Sequence, residues 1–322
     1  MIVMEENKKI KRNVSSNPHI RDFMNTNMIM LIVAGSLLPA LSYGVYHFGF
    51  RALGVVLVSV ISCMLTEFIF IRITKQGKNL KECSSLVTGM LLGMNLPVSS
   101  PLWMPAIGGV FAIAVVKMLF GGLGKNFMNP ALAARCFLLI SFPKLMTDFS
   151  YDGFSGATPL SELKNGTLTV SVRDMIFGNI GGTIGETSMI AIVIGGCIMI
   201  MFGVIDLYIT GTYIASFAVF LLLFAGRGLD GAFLSAHLAG GGLMLGAFFM
   251  ATDYVTRPVT KKGQLVYGVF LGFLTAIFRC FAPSAEGVSY AIIIGNLIVP
   301  LIERVTAPKA FGVVKVKKGG AN

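Results

Sequence analysis

The sequence predicts an all-α polytopic membrane protein of about ten transmembrane helices in two inverted five-helix repeats, and three observations carry that prediction. Apolar runs long enough to cross a hydrocarbon core of roughly 30 Å follow one another along most of the 322 residues. Hydrophobic residues make up 55% of the chain and charged residues only 13%, against about 25% charged in soluble domains. The charges gather in short clusters between the apolar runs, and 38 glycines supply the small faces on which membrane helices approach closely.

The predicted spans fall near 27–48, 52–72, 84–97, 103–121, 127–142, 187–205, 207–225, 232–251, 263–282 and 287–303. A polar start, MIVMEENKKIKRNVSSNPHIRDF, reads as a cytoplasmic segment over 1–26 rather than a cleaved signal. The third span, LVTGMLLGMNLP, is short, glycine-rich and ends at Pro97. The fifth opens at Asn129-Pro130, a helix-start pair. Both fit broken or half-length helices. Five spans over 27–142 form a first repeat, 143–186 a long hydrophilic loop, 187–303 a second repeat and 304–322 a basic tail.

Loop charge sets the orientation. Lys8, Lys9, Lys11, Arg12 and Arg21 precede span one, and Arg72, Lys75, Lys78 and Lys81 follow span two. Arg257, Lys261 and Lys262 follow span eight, and Arg304, Lys309, Lys315, Lys317 and Lys318 follow span ten. With ten spans all of these share one side, which the positive-inside rule makes cytoplasmic. Both termini are then expected on the cytoplasmic side of a cell (inner) membrane that the chain crosses many times, and 143–186 on the outer side. The net charge of +11 is topology charge punctuating lipid-embedded spans, so nucleic acid is not the expected partner. Cys63, Cys83, Cys136, Cys197 and Cys280 are scattered with no CxxC pair, which argues against a self-contained metal or iron–sulfur site.

The halves repeat at the level of short motifs. Gly109-Val110-Phe111 in span four matches Gly268-Val269-Phe270 in span nine, GMLLGMNL in span three resembles GGLMLGAFF in span eight, and Ala34-Gly35 matches Gly195-Gly196. Each match pairs span n with span n+5, and an odd number of spans per half inverts one half relative to the other.

Intramembrane carboxylates are costly and mark candidate ion-path residues. Glu67, toward the inner end of span two, is one; pairing with Arg72 or snorkelling is its structural alternative. Asp253, closing span eight, is the other. Lys117 and Arg135 read as snorkelling cations, either of which could neutralise a bound anion. Asp206, in a very short inner turn, reads as a turn or capping residue.

The long loop contains Asp152-Gly153-Phe154-Ser155-Gly156-Ala157-Thr158-Pro159-Leu160 and the acids Asp148, Asp152, Glu162, Asp174 and Glu186. Gly156 and Ala157 leave the Thr158 hydroxyl sterically open, and Pro159 steers Thr158 toward an extended backbone. A hydroxyl so presented suits modification by another enzyme; an ordinary Ser-Gly and Pro turn is the plain alternative.

DGFSGATPL resembles the acceptor motif D-x-x-S/T-G-A-T, to whose threonine a flavin transferase joins FMN through a phosphoester. With its place between spans five and six, the motif resembles the D subunits of the Rnf ion-translocating electron-transport complexes, and the homologous B subunits of the sodium-pumping NADH:quinone reductases. Ser16-Asn17-Pro18-His19-Ile20-Arg21 is similar to the Ser-Pro-His-x-Arg start of the Rnf proteins. Gly124-Lys125-Asn126-Phe127-Met128-Asn129-Pro130-Ala131 resembles G-x-N-x-F-N-P-A, with Met128 in place of the usual phenylalanine. Met250-Ala251-Thr252-Asp253-Tyr254-Val255-Thr256-Arg257-Pro258-Val259-Thr260 resembles M-A-T-D-P-V-T-x-P-V-T, with Tyr254 in place of the usual proline. The resemblance runs from about residue 15 to 307, and the compact N-terminus favours the Rnf side.

The resemblance implies an electron-transfer subunit, not catalytic alone, that carries covalent FMN on Thr158 within an acceptor motif of Asp152, Ser155, Gly156 and Ala157. It implies electron flow between ferredoxin and NAD coupled to Na⁺ or H⁺ movement, other Rnf subunits and a flavin transferase as partners, and a second, non-covalent riboflavin without assigned residues. A flavin-free solute channel or transporter with inverted repeats is the alternative from another class.

Overall fold

A computed structural model describes residues 24–75, 83–150, 160, 163, 171–226, 230–282 and 287–308. Among these the chain is almost wholly helical, with no β-strand and one isolated antiparallel bridge between Pro97 and Thr183. The elements are α1 (Thr26–Phe48), α2 (Phe50–Thr74), α3 (Ser84–Met94) and α4 (Trp103–Val110), which continues as a π-helix over Phe111–Met118. Then come α5 (Pro130–Ser141), α6 (Pro143–Met146), α7 (Val172–Phe177), α8 (Met189–Met201) and α9 (Leu207–Ala225). Last come α10 (Gly231–Ala239), α11 (Leu243–Leu245) with a second π-helix over Gly246–Met250, α12 (Lys261–Phe281) and α13 (Val288–Thr306).

Each apolar run expected to span carries helix, but the helices are unequal. α1, α2, α9, α12 and α13 are long and apolar enough to cross a membrane unbroken. α10 and the α11–π segment make a sixth span only as a pair bent by 61°. α3, α4 with its π extension, α5 and α8 are shorter than the roughly 20 residues of a straight crossing. The expected shortness of spans three and five therefore extends to four and six.

Local sequence explains the ends. Asn129 caps α5, its Oδ1 accepting from the amides of Ala131 (3.0 Å) and Leu132 (3.4 Å), and Pro130 occupies the first turn, where no amide partner is needed. Asp230 caps α10 through the amides of Ala232 and Phe233, and Thr260 caps α12 through that of Gly263. The α10–α11 bend falls at Gly240-Gly241-Gly242, where φ is +66° at both Gly241 and Gly242. Only glycine adopts that backbone freely, so the expected single span over 232–251 breaks here.

Glycines also set the helix contacts. A Cβ on Gly195 of α8 would collide with the Ser36 carbonyl of α1, and one on Gly93 of α3 would lie 2.7 Å from the Val56 Cα of α2. Gly109 of α4 rests on Ser62 of α2, and Gly268 of α12 rests on Thr212 of α9. Of the matched glycines, Gly109 and Gly268 thus make corresponding contacts, span four on span two and span nine on span seven, whereas Gly35, matched with Gly195, has open space around it. Around a main apolar core and a small second cluster of Cys63, Ile113 and Met118, faces such as Leu38, Leu57, Ile61, Leu65, Leu223 and Leu301 stay exposed, as expected of helices turned toward lipid.

Candidate functional site

Two buried charge clusters lie in the helical body, one at each end. At the first, a cavity of about 80 Å³ opens among the starts of α1, α3 and α5 and the ends of α4, α8 and the second π-helix. Its walls are apolar at Met30, Leu91 and Phe249, and polar at Ser84, Lys117, Asn126 and Asp253. The first π-helix carries Lys117 into the protein, and its Nζ donates to Glu67 Oε1 at 2.6 Å and Ser84 Oγ at 2.7 Å. Lys117 is 1% and Glu67 8% exposed. Glu67 therefore pairs with Lys117 and not with Arg72, whose guanidinium lies over the Phe68 ring. Fifty residues separate the partners, and only the packing of α4 on α2 brings them together.

Asp253, past the second π-helix, is half-buried at the same cavity. Its carboxylate accepts from Thr256 Oγ1 at 3.1 Å and from the Val255 amide at 3.5 Å. The Asn126 Oδ1, also at the cavity, is a buried acceptor with no protein donor among the described residues. Glu67 and Asp253 thus belong to one polar region, Glu67 through its partner Lys117. Tyr254, at the departure from the family pattern, hydrogen-bonds the Val204 carbonyl and takes the Arg257 guanidinium over its ring, tying this turn to the α8–α9 connection.

At the other end Arg135 of α5 is 5% exposed, so it does not snorkel. Its Nη1 donates to Glu186 Oε1 at 2.9 Å, Asn95 Oδ1 at 2.9 Å and Ser289 Oγ at 3.1 Å. The cluster joins the end of α3, the start of α13, the middle of α5 and the last residue of the long loop. Glu186 also lies against Gly242 of the α10–α11 break, where a Cβ would strike its carboxylate. The amides of Ile184 and Gly185 donate to the Leu96 and Met94 carbonyls, fixing the loop's return beside α3. Where the loop departs, the Asp148 carboxylate accepts from the side chain (2.6 Å) and amide (3.0 Å) of Ser150, which hold its pKa below the usual range. The Arg135–Glu186 pair had only a faint sequence signal, an arginine inside one span and a glutamate at the start of the next.

Arg279, at the end of α12, is buried and spans the α10–α11 break. It donates to the carbonyls of His237, Gly240 (2.9 Å) and Gly241 (3.1 Å), satisfying backbone groups that the break leaves without helical partners. Leu160, 3% exposed, packs on Gly241 from the long loop. Asp152, Ser155, Gly156, Ala157 and Thr158 lie outside the described residues.

The sequence profile of the NQR2, RnfD, RnfE family matches residues 13–312. The chain is 45% identical over 318 residues to the D subunit of the Na⁺-translocating ferredoxin:NAD⁺ oxidoreductase complex of Acetobacterium woodii, covering 96% of this chain and 98% of that one. It is 37% identical to the D subunit of the proton-translocating ferredoxin:NAD⁺ oxidoreductase complex of Clostridium ljungdahlii, over 94% and 98% of the two chains. It is 32% identical to the D subunit of the ion-translocating oxidoreductase complex of Erwinia tasmaniensis, over 93% and 98%. Full-length similarity at these levels, with the fold above, places the chain in the NQR2, RnfD, RnfE family.

Proposed function

We propose that this chain is the membrane component of an Rnf-type complex that carries FMN on Thr158 and passes electrons through it between ferredoxin and NAD, coupled to Na⁺ or H⁺ movement. The observation that carries the reading is DGFSGATPL in the one long hydrophilic segment of a chain 45% identical to a D subunit of that kind. The relatives' names divide between Na⁺ and proton, so the coupling ion is left as either. FMN would supply reversible electron acceptance; the chain's part is to hold the ring and set its surroundings.

The ten-span, two-repeat arrangement belongs to the same proposal. Its support is the facing of matched small-residue sites, Gly195 against Ser36 beside Gly35, and the like contacts of Gly109 and Gly268. With loop charge as the guide, both termini are cytoplasmic and 143–186 is outside the cell membrane.

Glu67 and Asp253 are proposed for the ion path. The support is a cavity at the basic end with a carboxylate, a buried unpartnered acceptor and the Lys117–Glu67 pair. At about 80 Å³ it suits a small cluster of waters or a partly hydrated cation, below the roughly 300–1,000 Å³ of pockets that enclose larger ligands.

The test is a denaturing gel of the chain made in cells containing a flavin transferase. A fluorescent band that darkens in Thr158→Val while the protein stain persists supports the reading; a dark wild-type band refutes it.

A further inference from the structure

Where the long loop returns to the helices, three oxygens converge on one nitrogen. Arg135 Nη1 lies 2.9 Å from Glu186 Oε1, 2.9 Å from Asn95 Oδ1 and 3.1 Å from Ser289 Oγ. A guanidinium Nη carries two hydrogens, so three acceptors at this distance are one more than it can serve. All four side chains are buried. An ion pair that only fastened Glu186 would need one acceptor for each hydrogen. The surplus oxygen suits a spherical cation, which has no fixed hydrogens to match.

The oxygens are a carboxylate, an amide and a hydroxyl, the hard donors that take alkali and alkaline-earth cations. One carboxylate neutralises one positive charge, and a divalent cation would bring an unmatched charge into a buried place. Oxygen contacts to a cation of Ca²⁺ size are about 2.3–2.6 Å. The three oxygens reach that range by closing in roughly 0.5 Å, which small rotations of the glutamate and serine side chains supply. Na⁺ is a monovalent cation of that size.

The cluster also lies at a seam. Asn95, just past α3, and Arg135 of α5 come from the first half of the chain, Ser289 from the first turn of α13, and Glu186 from the end of the loop. Interfaces between inverted repeats are where ions are commonly held. Asn95 Nδ2 reaches Met250 Sδ at 4.0 Å, and the Met250 carbonyl accepts from Asn129 Nδ2 at 3.5 Å. Met250 thus joins a residue of the cluster to one that lines the inner cavity. Six residues of α5 separate Asn129 from Arg135, a rise of about 9 Å.

We propose that Asn95, Glu186 and Ser289 form a monovalent-cation site of Na⁺ type, and that the Arg135 guanidinium is a tethered cation that fills it. The guanidinium and a free cation then compete for the same oxygens. The proposal stands apart from attachment at Thr158 and from the roles of Glu67 and Asp253, since it needs only the residues of this cluster.

Arg135→Ala in the full chain, purified in detergent, empties the site and leaves its oxygens. Melts in NaCl, KCl and choline chloride at equal ionic strength read the occupancy, because a cation bound only by the folded state raises the melting temperature. Wild type and Arg135→Lys keep a tethered cation and set the baseline. Above it, Na⁺ should raise the Arg135→Ala melt saturably, by about 5 °C at a hundredfold excess over the dissociation constant. K⁺ should act less and choline not at all. Adding Glu186→Gln should abolish the excess, and adding Ser289→Ala should weaken the apparent Na⁺ affinity several-fold. Arg135→Gln, whose shorter neutral side chain keeps a donor for Glu186, carries the same test if Arg135→Ala does not fold. No excess over the baseline, or an equal excess in all three salts, would overturn the proposal and leave an ordinary structural pair. Failure of both variants to fold in any of the salts would overturn it too, because Na⁺ should replace the charge that was removed.

Discussion

Replacing Lys117 by methionine removes the cation from a pair sealed inside the protein. The ammonium and the Glu67 carboxylate are 2.6 Å apart, which at an effective dielectric of about 20 is a gross attraction of about 6 kcal/mol. Desolvation offsets part of that, but removing one partner strands the other charge, at a cost of about 3–5 kcal/mol. The stranded carboxylate would keep no cation, and Ser84 would lose the donor it accepts from. In Glu67→Gln/Lys117→Met neither charge remains, so most of the loss should be recovered. The structure supplies its own reporter: Cys63 is fully buried next to this pair, its thiol directed at the Gly109 carbonyl. A thiol-reactive dye should therefore report unfolding in a protein whose Cys83, Cys136, Cys197 and Cys280 are replaced by serine or alanine, leaving Cys63 as the reporting thiol. For a chain this long about 2 °C accompanies each kcal/mol, so Lys117→Met should melt about 6–10 °C below wild type. The double variant should melt within a few degrees of wild type. A single variant that melts like wild type, or a double variant whose loss is the sum of the two singles, would refute the pairing.

Further expectations follow from other contacts. Gly195→Val would drive a side chain into the Ser36 carbonyl of α1 and should cost about 3 kcal/mol or more, whereas Gly35→Ala, with open space around it, should be neutral or slightly stabilising in the same melt. Glu186→Ala takes the carboxylate from the buried Arg135 guanidinium and should lower stability by about 3–5 kcal/mol; a melt within about 1 kcal/mol of wild type would mean that the ion pair is open to water. Asp253→Asn should abolish ion pumping by the assembled complex in vesicles while the gel flavin band persists, and undiminished pumping would remove Asp253 from the path. Ser150→Cys should react with an impermeant thiol reagent from outside intact cells and Lys75→Cys only after the membrane is opened; the reverse pattern would invert the topology.

The fold was legible wherever one residue type dictates backbone or solvent. Apolar runs located every long helix and Asn129-Pro130 marked the start of α5, but breaks were expected in spans three and five and not at Gly240–Gly242, where span eight bends. Helix length was less legible, because hydropathy reads an apolar residue alike in a helix or in the turn beyond it. LVTGMLLGMNLP is apolar to Pro97, yet α3 ends at Met94, where the Asn95 side chain donates back to the Leu91 carbonyl. The two π segments carry no such signature; each shifts the helix face by about one residue. That shift turns Lys117, whose place near a span end suits a snorkelling side chain, inward to Glu67. Charge partners distant in sequence were the hardest to read. Glu67 had Arg72 nearby on its own helix, and the choice of Lys117 depends on how α4 packs against α2 through Gly109 and Ser62. The acceptor motif was legible as chemistry alone, since its sense lies in an open hydroxyl.

The central claim is a flavin on one named oxygen, and peptide mass spectrometry addresses it directly. The chain is purified from cells that contain the transferase and whose other covalent flavoproteins are modified, then digested. The peptide containing Thr158 should carry the mass of FMN joined through its phosphate, fragmentation should place it on Thr158, and Thr158→Val should abolish it. An unmodified Thr158 peptide from those same cells would contradict the claim.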